Sequence, residues 1–199
     1  MLSPVRYIDI QIRRYDYLKS LTSNYHTYLN TTLHQQEKIW REESKLSSGG
    51  DEEIEQSIFS QEFGSIESVM ENEEQQFNLA LFLMVYAYYE SVKNKMAIIV
   101  GSKKDWPQSI CEKLNDSLTQ SSIEKSQHIN SIVSPLRNYV CHNSSGTNGD
   151  HISKTRHALD TLLEMGCIEM HVIRNNNNEI DLEKSQLFNI KSQYILCVL

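Results

Sequence analysis

Along most of the chain, apolar residues recur at steps of three and four, the period of helices with one buried face. Residues 4–46 contain no glycine and no proline after Pro4, so one long helix is predicted there, with Ser3 as its cap and Pro4 in its first turn. Leu18, Leu21, Tyr25, Tyr28 and Thr32 fall on one stripe of that helix. Such a stripe suits packing inside a bundle or pairing with a second copy, and the pattern leaves both open. Ser47, Ser48, Gly49 and Gly50 predict its end. Residues 51–76 offer few apolar positions, chiefly Ile54, Ile58, Ile66, Val69 and Met70, which predicts an acidic arm, helical in pieces and broken near Gly64. So little apolar surface suits an arm that is mobile or contacts a partner.

Residues 73–100 read as the innermost helix, because positions 77–89 carry no charge and Gly101 is placed to end it. A membrane span needs roughly 20 apolar residues, so this shorter stretch points to a buried core helix. Asp105 or Trp106 before Pro107 predicts a helix start, with Ile110, Leu114 and Leu118 as its apolar face. Ser121 or Ser122 is placed to cap the next helix, whose apolar face is Ile129, Ile132, Val133, Leu136 and Val140. Pro135 lies inside that pattern and predicts a kink. A polar loop spans 143–150, and a last long helix spans 151–165 before Gly166.

Beyond Gly166 the period changes to two. Ile168, Met170 and Val172 alternate with Glu169 and His171, residues 175–178 are four asparagines, and Ile180 and Leu182 alternate with Asp181 and Glu183. This predicts a β-hairpin turning at the asparagines. Leu187, Phe188, Ile190, Tyr194 and Ile195 supply a further strand or a short helix. The expected fold class is mainly α: a helical bundle with a long N-terminal helix and a small C-terminal β-hairpin. Its parts are the N-terminal helix at 1–48, the acidic arm at 51–76, the bundle core at 73–166 and the appendage at 167–199, all within one domain.

Composition narrows the classes. Seven glycines and three prolines in 199 residues leave few breaks, in keeping with long helices. Met1 to Tyr17 mixes charged and apolar positions and lacks the apolar run of a signal peptide. Cys111, Cys141, Cys167 and Cys197 are scattered without a C-x-x-C pair, so neither a disulfide framework nor a zinc ribbon is indicated. The expected compartment is the cytoplasm, with no membrane partner. A net charge of −7 argues against a protein that coats nucleic acid without specificity. That charge is uneven: residues 42–76 hold eleven acids against one base, whereas residues 91–160 hold nine bases against six acids.

Chemistry concentrates in residues 137–142, Arg-Asn-Tyr-Val-Cys-His, at the end of an apolar helix. Asn138 and His142 stand four apart and share a face, while Arg137 sits over Cys141 and flanks it. Arg137 offers a fixed cationic fork for phosphate oxygens, and an imidazole titrates near neutrality, with an ordinary pKa of about 6.5. Asn138 is suited to orienting the histidine or to holding a phosphate. The set suits RNA cleavage without a metal: the 2′-OH attacks the adjacent phosphate, His142 moves the proton and Arg137 stabilises the developing charge. One histidine cannot easily serve both proton transfers, and a symmetric dimer would bring two to one cleft. On residue types alone the plainer reading is favoured, an ion-pairing arginine and a helix-terminal histidine bonded to carbonyls.

Residues 136–143, Leu-Arg-Asn-Tyr-Val-Cys-His-Asn, resemble the R-x4–6-H signature of the HEPN superfamily, small all-helical domains of prokaryotic toxins, defence systems and RNA-processing enzymes. A polar residue directly after the arginine, here Asn138, and a position late in a long helix before a polar loop are similar too. The resemblance covers about eight residues closely and residues 70–165 in architecture only. It implies a dimeric bundle that joins two motifs, with Arg137 and His142 catalytic, Asn138 supporting, RNA as substrate, no cofactor and no metal. It also implies the setting of a toxin–antitoxin or phage-defence effector, with an antitoxin or regulatory protein as a further partner. The alternative it allows is an inactive module that binds RNA or protein.

Glu90 interrupts the most buried helix; two roles stay open for it, orienting Arg137 or pairing with Lys93 or Asn94. Cys141 is expected as a buried, inert thiol. Lys154 and Arg156 are candidates for holding an RNA backbone, against the plainer reading of a solvated helix face.

Overall fold

The computed structural model describes residues 3–104, 107–114, 119–142 and 149–198, without the side chains of residues 4, 142, 149, 150 and 198. The fold is mainly α, with a long N-terminal helix and one small two-stranded sheet near the C-terminus. Helix α1 is Pro4–Ser47 and α2 is Glu52–Val100. Then follow α3 (Pro107–Lys113), α4 (Gln120–His128), a π-helical turn at Ile129–Val133, α5 (Ser134–His142) and α6 (Gly149–Glu164). Strands β1 (Ile168–His171) and β2 (Gln186–Ile190) and helix α7 (Ser192–Val198) complete the chain. No helix among the described residues is long and apolar enough to cross a membrane.

The chain forms two compact units, Tyr15–Phe77 and Met1–Arg14 with Asn78–Leu199. The division cuts both long helices, and the C-terminal strands belong with the bundle instead of standing apart. In Tyr15–Phe77, the Tyr25 ring stacks on Phe77 at 3.8 Å and the Arg41 guanidinium lies 4.3 Å over Phe59, so the two helical segments run antiparallel. Thr22 and Ser44 are buried in this unit and return their hydroxyls to the carbonyls of Leu18 and Trp40, at 2.9 and 2.6 Å. Buried hydroxyls are thereby satisfied within their own turn. Asp51 caps α2, its Oδ1 accepting from the amides of Glu53 and Ile54.

Gly64 does not break α2, contrary to the expectation of a helix in pieces. A lone glycine costs only about 1 kcal/mol against alanine. Around it Phe59 stacks on Phe63, with ring centroids 5.2 Å apart, and Ile58, Ile66 and Met70 are half-buried. The predicted α1 stripe is split as well. Leu18 and Tyr25 turn inward, whereas Leu21 and Tyr28 face solvent.

The larger unit is built around Leu81, Phe82, Val85 and Tyr86 of α2. Ile129, Ile132, Val133 and Leu136, and Ala158, Leu159 and Leu162 of α6, are buried in the same unit. Gly101 and Gly166 end α2 and α6 at positive φ, 68° and 65°, as their positions in the sequence predict. Thr119 caps α4 through Ser122, two or three residues earlier than expected. The expected cap at Asp105 or Trp106, the contact of Leu118 and the loop at 143–148 lie outside the described residues. Pro135 acts before itself rather than at itself. It has no N–H to return to the preceding turn, and the helix widens so that the Ser134 amide reaches back to the Ile129 carbonyl.

The hairpin forms with a different second strand. Ile168 pairs with Ile190 and His171 with Gln186, with a bulge between Glu169 and Met170. The asparagine turn closes only an isolated bridge between Arg174 and Ile180. Residues 180–182 leave the strand because Asp181 Oδ1 accepts from the amides of Glu183 and Lys184, folding a turn that carries Leu182 into the core. A polar row anchors the sheet to α2: buried Asn78 donates to Asn189 Oδ1 at 3.1 Å, and Asn189 donates to Glu169 Oε2 at 3.0 Å. Among the described residues Asn78 Oδ1 has no partner.

His128 on α4 meets the Tyr194 hydroxyl of α7 at 3.0 Å. Burial pushes the phenol up well beyond its usual range, so it stays protonated. Burial also holds His128 below the ordinary histidine pKa. The unfolded chain therefore binds this proton more readily, so stability is full above about pH 6.5 and falls as pH drops below it. Thermal unfolding followed from pH 7.5 to 5 should show that decline in the wild type and a flatter profile in His128→Gln.

Candidate functional site

The π-helical turn and Pro135 set the phase of α5, so that Leu136 and Tyr139 face the core. Tyr139 is anchored there, its hydroxyl donating to the Ser185 carbonyl at 2.9 Å. Arg137 is then turned to a different side. Its guanidinium lies 5.8 Å over the ring of Tyr86, which itself holds Ser134 through a 3.0 Å hydroxyl contact. Arg137 Nη1 donates to Asn138 Oδ1 at 2.9 Å, its one hydrogen-bond partner among the described residues. Asn138 is exposed and steadies the arginine through its carbonyl oxygen.

Arg137 borders an open cleft of about 700 Å³ between α2 and α5. Tyr86, Glu90, Asn94 and Lys95 line it from α2, and Arg137 and Cys141 from α5. The volume is that of an ordinary small-molecule site. Glu90 reaches the same cleft, but its Oε1 is bonded to Lys93 Nζ at 2.8 Å. Of the two roles open to it, the Lys93 pair is the one formed. Cys141 corrects an expectation. One turn beyond Arg137 it shares the cleft side of α5, away from Leu136 and Tyr139, and is exposed rather than buried. All four cysteines are free.

His142 is the last residue of α5, and its side chain lies outside the described residues. Along the helix its position follows Asn138 by four and Arg137 by five, about 140° around the axis from the latter. Lys154 is exposed on α6. Arg156 is engaged with the C-terminal segment, donating to the Ile180 carbonyl at 3.0 Å and to Glu179 at 2.7 Å. Neither lines the cleft. Among the described residues no group of three or more His, Cys, Asp or Glu side chains gathers as a metal site would require.

Lys95 carries no signal in the sequence that marks it for the cleft, and Asn94 is marked only as a possible partner of Glu90. Asn94 follows Glu90 by four, so helical spacing alone places both on one face. What the spacing lacked was the knowledge that α5 crosses opposite that face. The cleft thus gathers two cations, a carboxylate and an amide over an aromatic floor. Such a set is able to hold an anionic, hydrogen-bonding ligand.

No family model, no curated protein and no solved structure matches the chain.

Arg156→Ala should lower stability by about 1 to 2 kcal/mol, because the Ile180 carbonyl loses its donor and the Glu179 contact is half-exposed. Lys154→Ala should change it by less than about 0.5 kcal/mol. Chemical denaturation of both variants checks the pair of expectations.

Proposed function

We propose that the protein is a metal-independent endoribonuclease of the HEPN type, with Arg137 and His142 as its catalytic pair. The observation that carries the reading is the setting of Arg137, held over Tyr86 by one neighbouring amide at the mouth of an open cleft. A purely structural arginine would be expected to pair with carboxylates or carbonyls, as Arg156 and Arg174 do here. The motif resemblance supplies the reaction. The RNA 2′-oxygen attacks phosphorus and loses its proton to one imidazole. The bond from phosphorus to the 5′-oxygen breaks, and that oxygen takes a proton from a second imidazole, that of His142 of the partner subunit. Arg137 neutralises the charge building on the phosphate, and Asn138 holds Arg137 in place.

The products are a 2′,3′-cyclic phosphate and a 5′-hydroxyl. Glu90, through Lys93, supports the α2 wall of the cleft. Lys154 adds an exposed cation for the RNA backbone. On the same resemblance the biological role is that of a cytoplasmic toxin or phage-defence effector, restrained by an antitoxin or regulatory protein.

A second reading is favoured by charge. Residues 15–77 hold thirteen acids against four bases, which suits an inactive module whose acidic arm meets a basic partner. Incubation of wild type, Arg137→Ala and His142→Ala with labelled RNAs in EDTA separates the two. The nuclease reading expects cleavage by the wild type alone, with rates at least about 100-fold lower in either variant. Undiminished cleavage by folded His142→Ala rejects the mechanism, and no cleavage by folded wild type leaves the binding module.

A further inference from the structure

Five large apolar side chains on the Tyr15–Phe77 part of α1 face solvent: Tyr17 is 67% exposed, Leu21 41%, Tyr28 63%, Ile39 44% and Leu46 82%. At 100° per residue they fall within about 40° of one another around the helix, in a stripe about 45 Å long. Buried Thr22, Leu29 and Ser44 lie on the other side of the same helix. The stripe's segment also carries little net charge. Residues 17–46 hold three acids and four bases, whereas residues 51–77 of the facing segment contain nine acids and no Lys or Arg. A long apolar stripe flanked by Ser, Thr, Asn and Gln is an unusual thing to leave in water.

We infer that this face of α1 is a homodimer interface, in which α1 of one copy lies antiparallel to α1 of the other. The charge distribution selects the occupant. Two copies joined through α2 would set one acidic surface against another, while joining through α1 keeps both acidic surfaces outside. The spacing fits an antiparallel register. Leu21 and Tyr28 are seven apart, as are Ile39 and Leu46. An antiparallel pair centred between Leu33 and His34 sets Leu21 against the partner's Leu46 and Tyr28 against the partner's Ile39. The same register brings Lys19 beside the partner's Ser48, at the edge of the acidic turn, and leaves no acid opposite an acid along 20–46. A parallel pair would instead stack the two acidic turns at 51–55 on each other. The interface uses none of the α5 motif, so it neither rests on the nuclease reading nor falls with it.

The test is the mass of the full chain in solution at micromolar concentration, by light scattering or sedimentation equilibrium. Leu46→Glu should halve the mass of the wild-type assembly without loss of helical circular dichroism. Adding Leu21→Lys to it should restore the mass, since each lysine then meets a glutamate across the antiparallel pair. A wild type of single-chain mass would overturn the proposal and leave the stripe to a different partner. It is equally overturned by a mass that Leu46→Glu leaves unchanged, as for a dimer held through α5, or by failure of the second substitution to restore it.

Discussion

A stretch of thirteen residues without a charge, 77–89, has to be covered, and the larger unit is arranged around the covering. Leu81, Phe82, Val85 and Tyr86 present one continuous face of α2, and burying each such side chain is worth roughly 1.5–3 kcal/mol. Val133 and Leu136, on either side of Pro135, are buried in the same unit, and Ser134 between them meets the Tyr86 hydroxyl. A regular helix running into Pro135 would press its ring against the carbonyl of Ser131. The π-helical turn relieves this and still leaves Ile129, Ile132, Val133 and Leu136 on the covered side. The core and the irregular turn are therefore one solution to one constraint.

The cleft is a by-product of the same solution. Because Leu136 and Tyr139 are committed to the core, Arg137 and Cys141 emerge on the flank of α5 that faces the polar continuation of α2. Tyr86 stands at the change-over, buried with the core and with its ring beneath Arg137. A rigid hydrophobic seam thus positions a guanidinium without any carboxylate being bonded to it among the described residues. That leaves its charge available to a ligand.

Much of this was legible in the residues. Gly101 and Gly166 ended their helices, the uncharged run marked the inner helix, and Pro135 marked an irregularity, because each acts through its own backbone or its own hydration. What was hidden depended on side-chain contacts that spacing does not show. Gly64 looked like a break until the stacked Phe59 and Phe63 beside it were seen. Residues 180–182 alternate like a strand, yet the Asp181 side chain outbids the ladder by capping a turn. Cys141 was read as buried because its helix is buried, although its own side of the helix is not. The α1 stripe misled by one position, since periodicity marks a face without saying whether Thr22 or Leu21 lies at its centre. The cleft wall of Asn94 and Lys95 required knowing which helices cross.

The row of amides from Asn78 through Asn189 to Glu169 carries information from the surface inward. A carboxylate accepts only, so Glu169 obliges Asn189 to present its NH2 outward and its oxygen inward. Asn78 must answer with its own NH2, and its oxygen is left facing the core without a partner among the described residues. The polarity of the whole row is thus dictated by its outermost member. An isosteric Glu169→Gln exchange would free every amide behind it to turn over, and the orientation of a dipole deep in the protein would cease to be single-valued.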